Sequence, residues 1–177
     1  MVKIKILFGL LLVVLMINCT TMGVSTARFE WEKVHKTAVL NFTSEGFIGA
    51  DQVGRFAADE ISRGLFQKQG IPVVDRAVVI AKCAEFQLTP VVNQETLVKL
   101  AKSLDVDLLI LGSLIRLDKA EIGEDETEKA QIQITVRILS GRTGEVVGLV
   151  TCQKSKKGLV NDLIADLANQ IVEKIRL

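Results

Sequence analysis

The chain has almost none of the side chains on which enzymes and metal sites most often depend. Its 177 residues include one histidine, no tyrosine, one tryptophan and two prolines. A zinc site would have to combine Cys83 and Cys152 with distant carboxylates, because no close ligand pair such as C-x-x-C is present. A Cys–His nucleophile would need His35 beside one of these cysteines, and no local signature indicates that. We therefore expect a protein that is not an enzyme and that holds no metal or cofactor.

The chain also lacks an excess of either charge. Lysine and arginine total 22, against 21 aspartates and glutamates. Nucleic-acid-binding domains normally display a basic face, and single-strand binders also need aromatic rings on which bases stack. We expect no nucleic-acid partner. The length suits one domain with a substantial hydrophobic core.

What the chain does have is an N-terminus typical of export. Two lysines lie within the first five residues, an uncharged apolar run covers residues 6–17, and Cys19 follows one residue later. A basic start before an apolar stretch of about 7–15 residues is a secretory signal, whereas a membrane span needs about 20. The pattern resembles a bacterial lipoprotein signal. Residues 1–18 are thus predicted to be removed, and Cys19 to carry the lipid.

Two other interpretations of this segment stay open. Asn18 stands where lipoprotein signals usually have a small residue, so the segment could be an uncleaved anchor or be cut nearby, for instance after Ala27. Thr20 is not the aspartate that resemblance to other lipoproteins links to inner-membrane retention, which favours the outer membrane, facing the periplasm. Residues 19–35 are then predicted to be the lipidated N-terminus and a tether.

Residues 36–177 indicate one α/β domain built around a buried strand. Residues 107–117 form a nearly continuous apolar run, which suits a strand buried on both faces. A first strand (36–42), an amphipathic helix, a short strand (71–76) and two more helices precede it. Two alternating strands joined by a glycine-containing turn follow, and then a strongly periodic helix. The order β-α-β-α-α-β-β-β-α predicts a mixed sheet with helices packed on it.

Several residues of this domain have candidate roles at corners and turns. Asp75 is expected to cap the helix that follows it, and Arg76 to fix Asp75 by a charge-assisted hydrogen bond. Gly112 would let a neighbouring backbone or helix approach the central strand, and Gly144 suits a left-handed turn position. All four roles are structural and are favoured over ligand binding. Asp51 is a further candidate helix cap.

The two cysteines of the domain are expected to be free. Cys83 falls on the apolar face of a predicted helix and Cys152 in a predicted strand, so buried thiols are the main interpretation. A disulfide between them is the alternative, because an oxidising periplasm permits one.

Several short patterns occur in an order that resembles a known family. They are TAVLNF at 37–42, VVDR at 73–76, AKSLDVDLLILGS at 101–113, and TGEVV at 143–147. In this order they resemble the curli-secretion lipoprotein (CsgG-type) family. The resemblance covers roughly residues 36–177, and it implies an envelope lipoprotein.

The chain departs from the channel-forming member of that family, which inserts membrane hairpins at two positions. The first position holds residues 118–129, of which eight are charged, and the second, residues 151–158, carries three lysines. Membrane strands need about 9–11 residues with an apolar outer face. The resemblance is therefore to the pore-less periplasmic relatives, such as the lipoprotein that activates a peptidoglycan synthase.

Three functional hypotheses follow. The main one is a periplasm-facing outer-membrane lipoprotein that binds another envelope protein, as an accessory in assembly, secretion or regulation. The second is a homo-oligomeric, ring-forming subunit of a curli-type secretion complex. The third is a small-molecule or glycan binder that uses a cleft near Asn41 and Phe42 and near Gly112 and Ser113.

Overall fold

The computed structural model describes residues 22–26, 34, 36–88, 92–117 and 129–175. The predicted α/β class and order of elements are confirmed, with two short strands added. The elements are β1 (Met22–Thr26), β2 (Thr37–Val39), β3 (Thr43–Glu45), α1 (Ala50–Gln69), α2 (Arg76–Glu85), α3 (Gln94–Leu104), β4 (Leu108–Arg116), β5 (Lys129–Ser140), β6 (Val146–Lys157) and α4 (Val160–Ile175).

One mixed sheet contains all six strands. Its order is β1-β6-β5-β4-β2, and β3 also pairs with β4. The pairs of β2 and β3 with β4 are parallel, whereas β4–β5, β5–β6 and β1–β6 are antiparallel. The apolar run predicted as the central strand is β4, with Leu108, Leu109, Ile110 and Leu114 almost fully buried. A strand with neighbours on both sides and helices over both faces needs apolar side chains in both directions.

The two faces of the sheet are covered by different helices. On the first, here called the α1–α4 face, alternate residues of β5 (Ile132, Ile134, Val136 and Ile138) meet the buried stripes of α1 and α4 in the larger core. On the second, the α2–α3 face, a smaller core joins β2 and Leu109 to α2 and α3. The period of two in β5 and the period of 3.6 in α4 are what direct these side chains inward.

Strand β1 was not predicted, because its residues were expected to belong to a tether. Met22–Thr26 pairs with the edge strand β6, and Val24 lies opposite Val150. An edge strand has unpaired backbone groups, and a short extended segment beside it can satisfy them. Of the other residues predicted as signal or tether, including Cys19, all except Val34 lie outside the described residues.

The strand predicted over 71–76 is reduced to one bridge residue. Val73 pairs in parallel with Thr37, and the Thr37 amide donates to the carbonyl of Pro72 at 2.9 Å. Proline has no amide hydrogen, which limits the ladder that this segment can form. Conversely, Thr43–Glu45, predicted as loop, pairs with β4 as β3.

Helix α1 begins and ends at glycines. The expected cap by Asp51 is wrong, because the N-cap is Gly49 at φ 66° and no side chain caps the helix. Asp51 lies in the first turn, where its charge complements the helix dipole. Gly70, at φ 67°, ends the helix, as a glycine just past the last turn commonly does. Within the described ranges, no helix combines the length and apolarity that a membrane crossing requires.

The two positions at which the channel-forming family member carries membrane hairpins differ in what the structure describes. Residues 151–158 continue β6 and then turn into α4, so this segment belongs to the sheet. Residues 118–128 of the first position lie outside the described residues.

Candidate functional site

Asp75 begins the second helix, at the corner where the chain leaves the sheet. Its carboxylate oxygen Oδ1 accepts a hydrogen bond from the Ala77 amide at 2.8 Å, so Asp75 is the N-cap of α2. Aspartate suits this position because the first amides of a helix have no backbone acceptor. The side chain is therefore used to begin the helix.

Arg76 stabilises the same corner through partners that the sequence analysis did not name. Nε donates to Oδ1 of Asp59 on α1 at 2.8 Å, not to Asp75 as expected. Its terminal nitrogens donate to the Val39 carbonyl and to Oδ1 of Asn41, just after β2. Asp59 is 17 residues away in sequence, and nothing in the local pattern singled it out. One guanidinium thus joins α1, α2 and the end of β2.

Two glycines hold Phe42 at the carboxyl end of β2. A Cβ on Gly112 would lie 2.2 Å from the Phe42 ring, so the ring packs directly on the backbone of β4. A Cβ on Gly54 would lie 2.0 Å from the Phe42 carbonyl oxygen, so α1 approaches the same segment from the other side. Gly112 was predicted from the sequence and Gly54 was not, although a glycine inside an otherwise regular helical pattern is a signal of close packing.

Gly144 lies in the β5–β6 turn with φ 72°. Its amide donates to the Ser140 carbonyl at 2.7 Å, and a Cβ would lie 2.7 Å from Cγ of Gln94. Gln94 in turn donates to the Thr143 carbonyl at 2.6 Å. The turn is therefore packed against the start of α3, and a side chain at Gly144 would be strained and crowded.

A cleft of about 510 Å³ lies at the place considered for a ligand, beside Asn41, Phe42 and Gly112. Arg137 of β5 and Asp51 are the charged residues that line this cleft. The volume is within the usual range for small-molecule pockets. Its other lining residues are mainly apolar or hydroxyl-bearing: Leu40, Thr43, Ser44, Cys83, Leu88, Val92 and Leu111.

The two described cysteines are free thiols on opposite faces of the sheet. Cys83 packs against the smaller core and lines the cleft, and burial raises its pKa while nearby Arg76 partly lowers it. Cys152 is buried in the larger core, and burial raises its pKa as well. Because the sheet separates the two thiols, Cys83 and Cys152 do not form the disulfide considered as an alternative.

Helix α2 is apolar on its outer surface as well as toward the core. Val79 is its only fully buried residue, whereas Val78 is 49% exposed and Ile80 40% exposed. Glu85 and five apolar residues of α2 are exposed. The five apolar residues are called the outer face of α2: Ala77, Val78, Ile80, Ala81 and Ala84. A helix that is apolar beyond its core stripe normally packs against something further.

On the α1–α4 face, Asp166 of α4 links the helix to β6. Its carboxylate accepts hydrogen bonds from Nζ of Lys154 at 3.0 Å and of Lys156 at 3.3 Å. The hydrogen bond from Lys154 is the main reason that the pKa of Asp166 is lowered from its ordinary value, and Lys156 adds to the effect. This cluster of one carboxylate and two ammonium groups attaches α4 to β6.

Comparison with known proteins identifies the fold. No protein-family model and no curated protein matches the chain. Among solved structures, the PelC dodecamer from Paraburkholderia phytofirmans has a TM-score of 0.59 at 10% identity, covering 89% of this chain and 98% of that chain. The hypothetical protein CT253 from Chlamydia trachomatis has a TM-score of 0.53 at 14% identity, covering 80% and 95%.

A looser likeness exists to the C-terminal domain of LpoB from Salmonella enterica. Its TM-score is 0.44 at 12% identity, and the match covers 70% of this chain and 82% of that chain. The chain therefore shares the fold of PelC and CT253. At such identities, the likeness extends to the fold alone.

Proposed function

We propose that this protein is a lipid-anchored accessory of the cell envelope that binds another envelope protein through the outer face of α2. It acts by binding rather than by catalysis, and it faces the periplasm from the outer membrane. The anchor is Cys19, which follows the export signal. The observation that carries the proposal is the exposure of five neighbouring apolar residues on a helix whose other side is already packed.

The outer face of α2 has the chemistry of a helix-docking surface. Ala77, Ala81 and Ala84 follow one another at steps of four and three residues, so they lie along one line of the helix. Small side chains allow a second helix to approach closely, and Val78 and Ile80 beside them supply apolar area. The surface therefore fits an amphipathic helix of the partner, laid along α2.

The position of α2 also suits a binding role. Cys83 and Phe86 pack on the smaller core, Asp75 caps the helix, and Arg76 ties its first turn to Asp59 and the end of β2. The outer face is thus presented on a supported helix whose start is fixed by hydrogen bonds. A partner then needs little reordering of this surface when it binds.

The experiment is photo-crosslinking in cells with a benzoylphenylalanine placed at Val78. The matched control is the same probe at Ile48, which is 73% exposed and lies outside α2. We expect Val78 to give one discrete adduct, whose second component is identified by mass spectrometry as an envelope protein. The double variant Val78→Ser, Ile80→Ser should abolish partner binding, and circular dichroism should show that the domain still folds.

Two results would contradict this proposal. One is equal labelling from Val78 and Ile48, which indicates nonspecific contact. The other is partner binding that survives the double serine variant, which moves the binding surface elsewhere. The anchor has its own measurement: the intact mass of protein from a lipidating host should show a diacylglyceryl group, and Cys19→Ser should lose it.

Self-association is the second candidate. The specific observation in its favour is the fold shared with PelC, whose structure is a dodecamer. In that case the adduct from Val78 would contain two copies of this chain, and the protein in mild detergent would have the mass of a closed ring. A ring built by one repeated contact buries the same two surfaces at every interface.

The remaining hypotheses stay predictions. The comparisons do not show the curli-secretion family, so the CsgG-type resemblance rests on the sequence patterns alone. Ligand binding in the cleft beside Asn41 and Gly112 is likewise a prediction, which a thermal-shift panel can test because a bound ligand stabilises the folded state.

A further inference from the structure

We infer that the end of the sheet carrying Lys156, Lys157 and Leu159 lies on the lipid surface, so that the β5–β6 turn points away from the membrane. These three residues are called the membrane-facing end. The inference rests on the proposed lipid anchor at Cys19. It adds to that proposal the orientation of the domain relative to the membrane surface.

The pairing of β1 fixes which end of the sheet is close to the anchor. Met22 lies opposite Cys152, and Thr26 lies opposite Gly148. Because the pair is antiparallel, going from Thr26 back toward the N-terminus follows β6 forward, toward Lys157. Met22, where the chain from the anchor enters the sheet, therefore lies beside the half of β6 that leads to Lys157 and not beside the half that contains Val146.

The chain between this strand and the anchor is very short. Only Thr20 and Thr21 separate Cys19 from Met22. Three steps of at most about 3.6 Å each allow roughly 11 Å between the Cα atoms of residues 19 and 22. The lipid is thus held within about 11 Å of a paired strand, which is far less than the roughly 36 Å length of the twelve-residue β6. A domain held so closely cannot turn its far end to the membrane.

The membrane-facing end has side chains that suit a lipid interface. Leu159 is 56% exposed at the turn between β6 and α4. Lys156 and Lys157 precede it and are exposed, and within the described part of the chain Lys157 forms no ion pair. A leucine can enter the interface while neighbouring lysines extend their ammonium groups to the headgroups.

Acidic residues at this end argue against recruitment by charge. Asp162 is exposed in the first turn of α4, and Asp166 is paired with Lys154 and Lys156. The sequence that joins β4 to β5, residues 118–128, has six acidic side chains and one lysine. The anchor and Leu159, rather than electrostatic attraction, are therefore what orient the domain. We expect the same orientation on neutral and on anionic vesicles.

The test measures which end of the domain touches lipid. Leu159→Trp and Val146→Trp are made in the full chain and purified from a lipidating host. They are then inserted into phosphatidylethanolamine–phosphatidylcholine vesicles that contain lipids brominated near the headgroup. The pair is matched, because the two native side chains are 56% and 53% exposed at opposite ends of β6 and its following turn. The native Trp31 is present in both variants and adds the same background fluorescence to each.

We expect the brominated lipids to quench the fluorescence added by Leu159→Trp at least threefold more strongly than the fluorescence added by Val146→Trp. A Cys19→Ser form of each variant should lose the difference. A diacylated protein with equal quenching at both ends, or stronger quenching at position 146, overturns the orientation and leaves the anchor standing. An intact mass without lipid overturns the anchor, and the orientation with it.

Discussion

The two faces of the sheet differ in how completely they are covered. On the α1–α4 face, two long helices bury long rows of apolar side chains, and Lys154 and Lys156 bind Asp166 at the margin. On the α2–α3 face, the helices cover a smaller core, a cleft of about 510 Å³ remains beside it, and α2 keeps an apolar outer surface. The first face holds the larger buried core, whereas the second keeps an open cleft and exposed apolar side chains.

This difference follows from the residues that each face receives. Along β5, every residue directed to the α1–α4 face from Ile132 to Ile138 is fully buried. The residues between them are polar: Gln133, Thr135 and Arg137. Thr135 and Thr151 lie side by side on neighbouring strands with their hydroxyl oxygens 3.2 Å apart. An apolar face recruits helices because burial removes hydrocarbon from water, and a polar face gains little from a cover.

The largest expected effect compares one core residue from each face. Leu167→Ala on α4 should lower the free energy of unfolding by about 3 kcal/mol, because it leaves a cavity in the larger core. Val79→Ala on α2 should cost only about 1 to 2 kcal/mol, since fewer buried groups are removed. Urea denaturation measures both values. Hydrogen exchange should show α2 opening by itself in the Val79 variant, and equal costs with only global opening would contradict the comparison.

An intermediate effect is expected at Gly112, where the Phe42 ring packs directly on the backbone of β4. Gly112→Ala should cost about 1 to 3 kcal/mol, because its Cβ would overlap the Phe42 ring and both are held by the surrounding structure. The double variant with Phe42→Leu should recover part of that loss if this overlap is the cause. A double-mutant cycle with no coupling between the two positions would place the strain elsewhere.

The smallest effect concerns the charged margin of the α1–α4 face. The pKa of Asp166 is lowered in the folded state, so its contribution is fully present above about pH 4, the ordinary carboxyl range. That contribution is lost as the pH falls through the lowered value. Because the Asp166 side chain is 39% exposed, we expect Asp166→Asn to cost less than about 1 kcal/mol at pH 7.

The measurement is urea denaturation of both proteins at pH 7 and at pH 2. The difference between them should shrink at the lower pH, and 1 M salt at pH 7 should reduce it as well. A difference that does not change with pH would mean that Asp166 acts through packing and not through its charge.

Most of the fold was predictable because its signals are local. The apolar run of β4, the alternation of β5 and the periodicity of α4 each arise from residues that lie next to one another in sequence. Asp75 before a helix and Gly70 after one are local signals too, since a cap acts within one turn. The short strands β1 and β3 were missed, because a segment of three to five residues becomes a strand only when an edge is available to it.

The class of the domain, the order of its elements and the residues that turn inward could be predicted from the sequence alone, because hydrophobic periodicity is a property of each segment. The folded structure was needed to show that Arg76 binds Asp59, that Gly54 and Gly112 enclose Phe42, and that β1 lies beside β6. These contacts join residues far apart in the chain, and their partners are chosen by the geometry of the packed layers. The exposure of the outer face of α2 also depends on the tertiary structure, because it requires that no other element packs against that face.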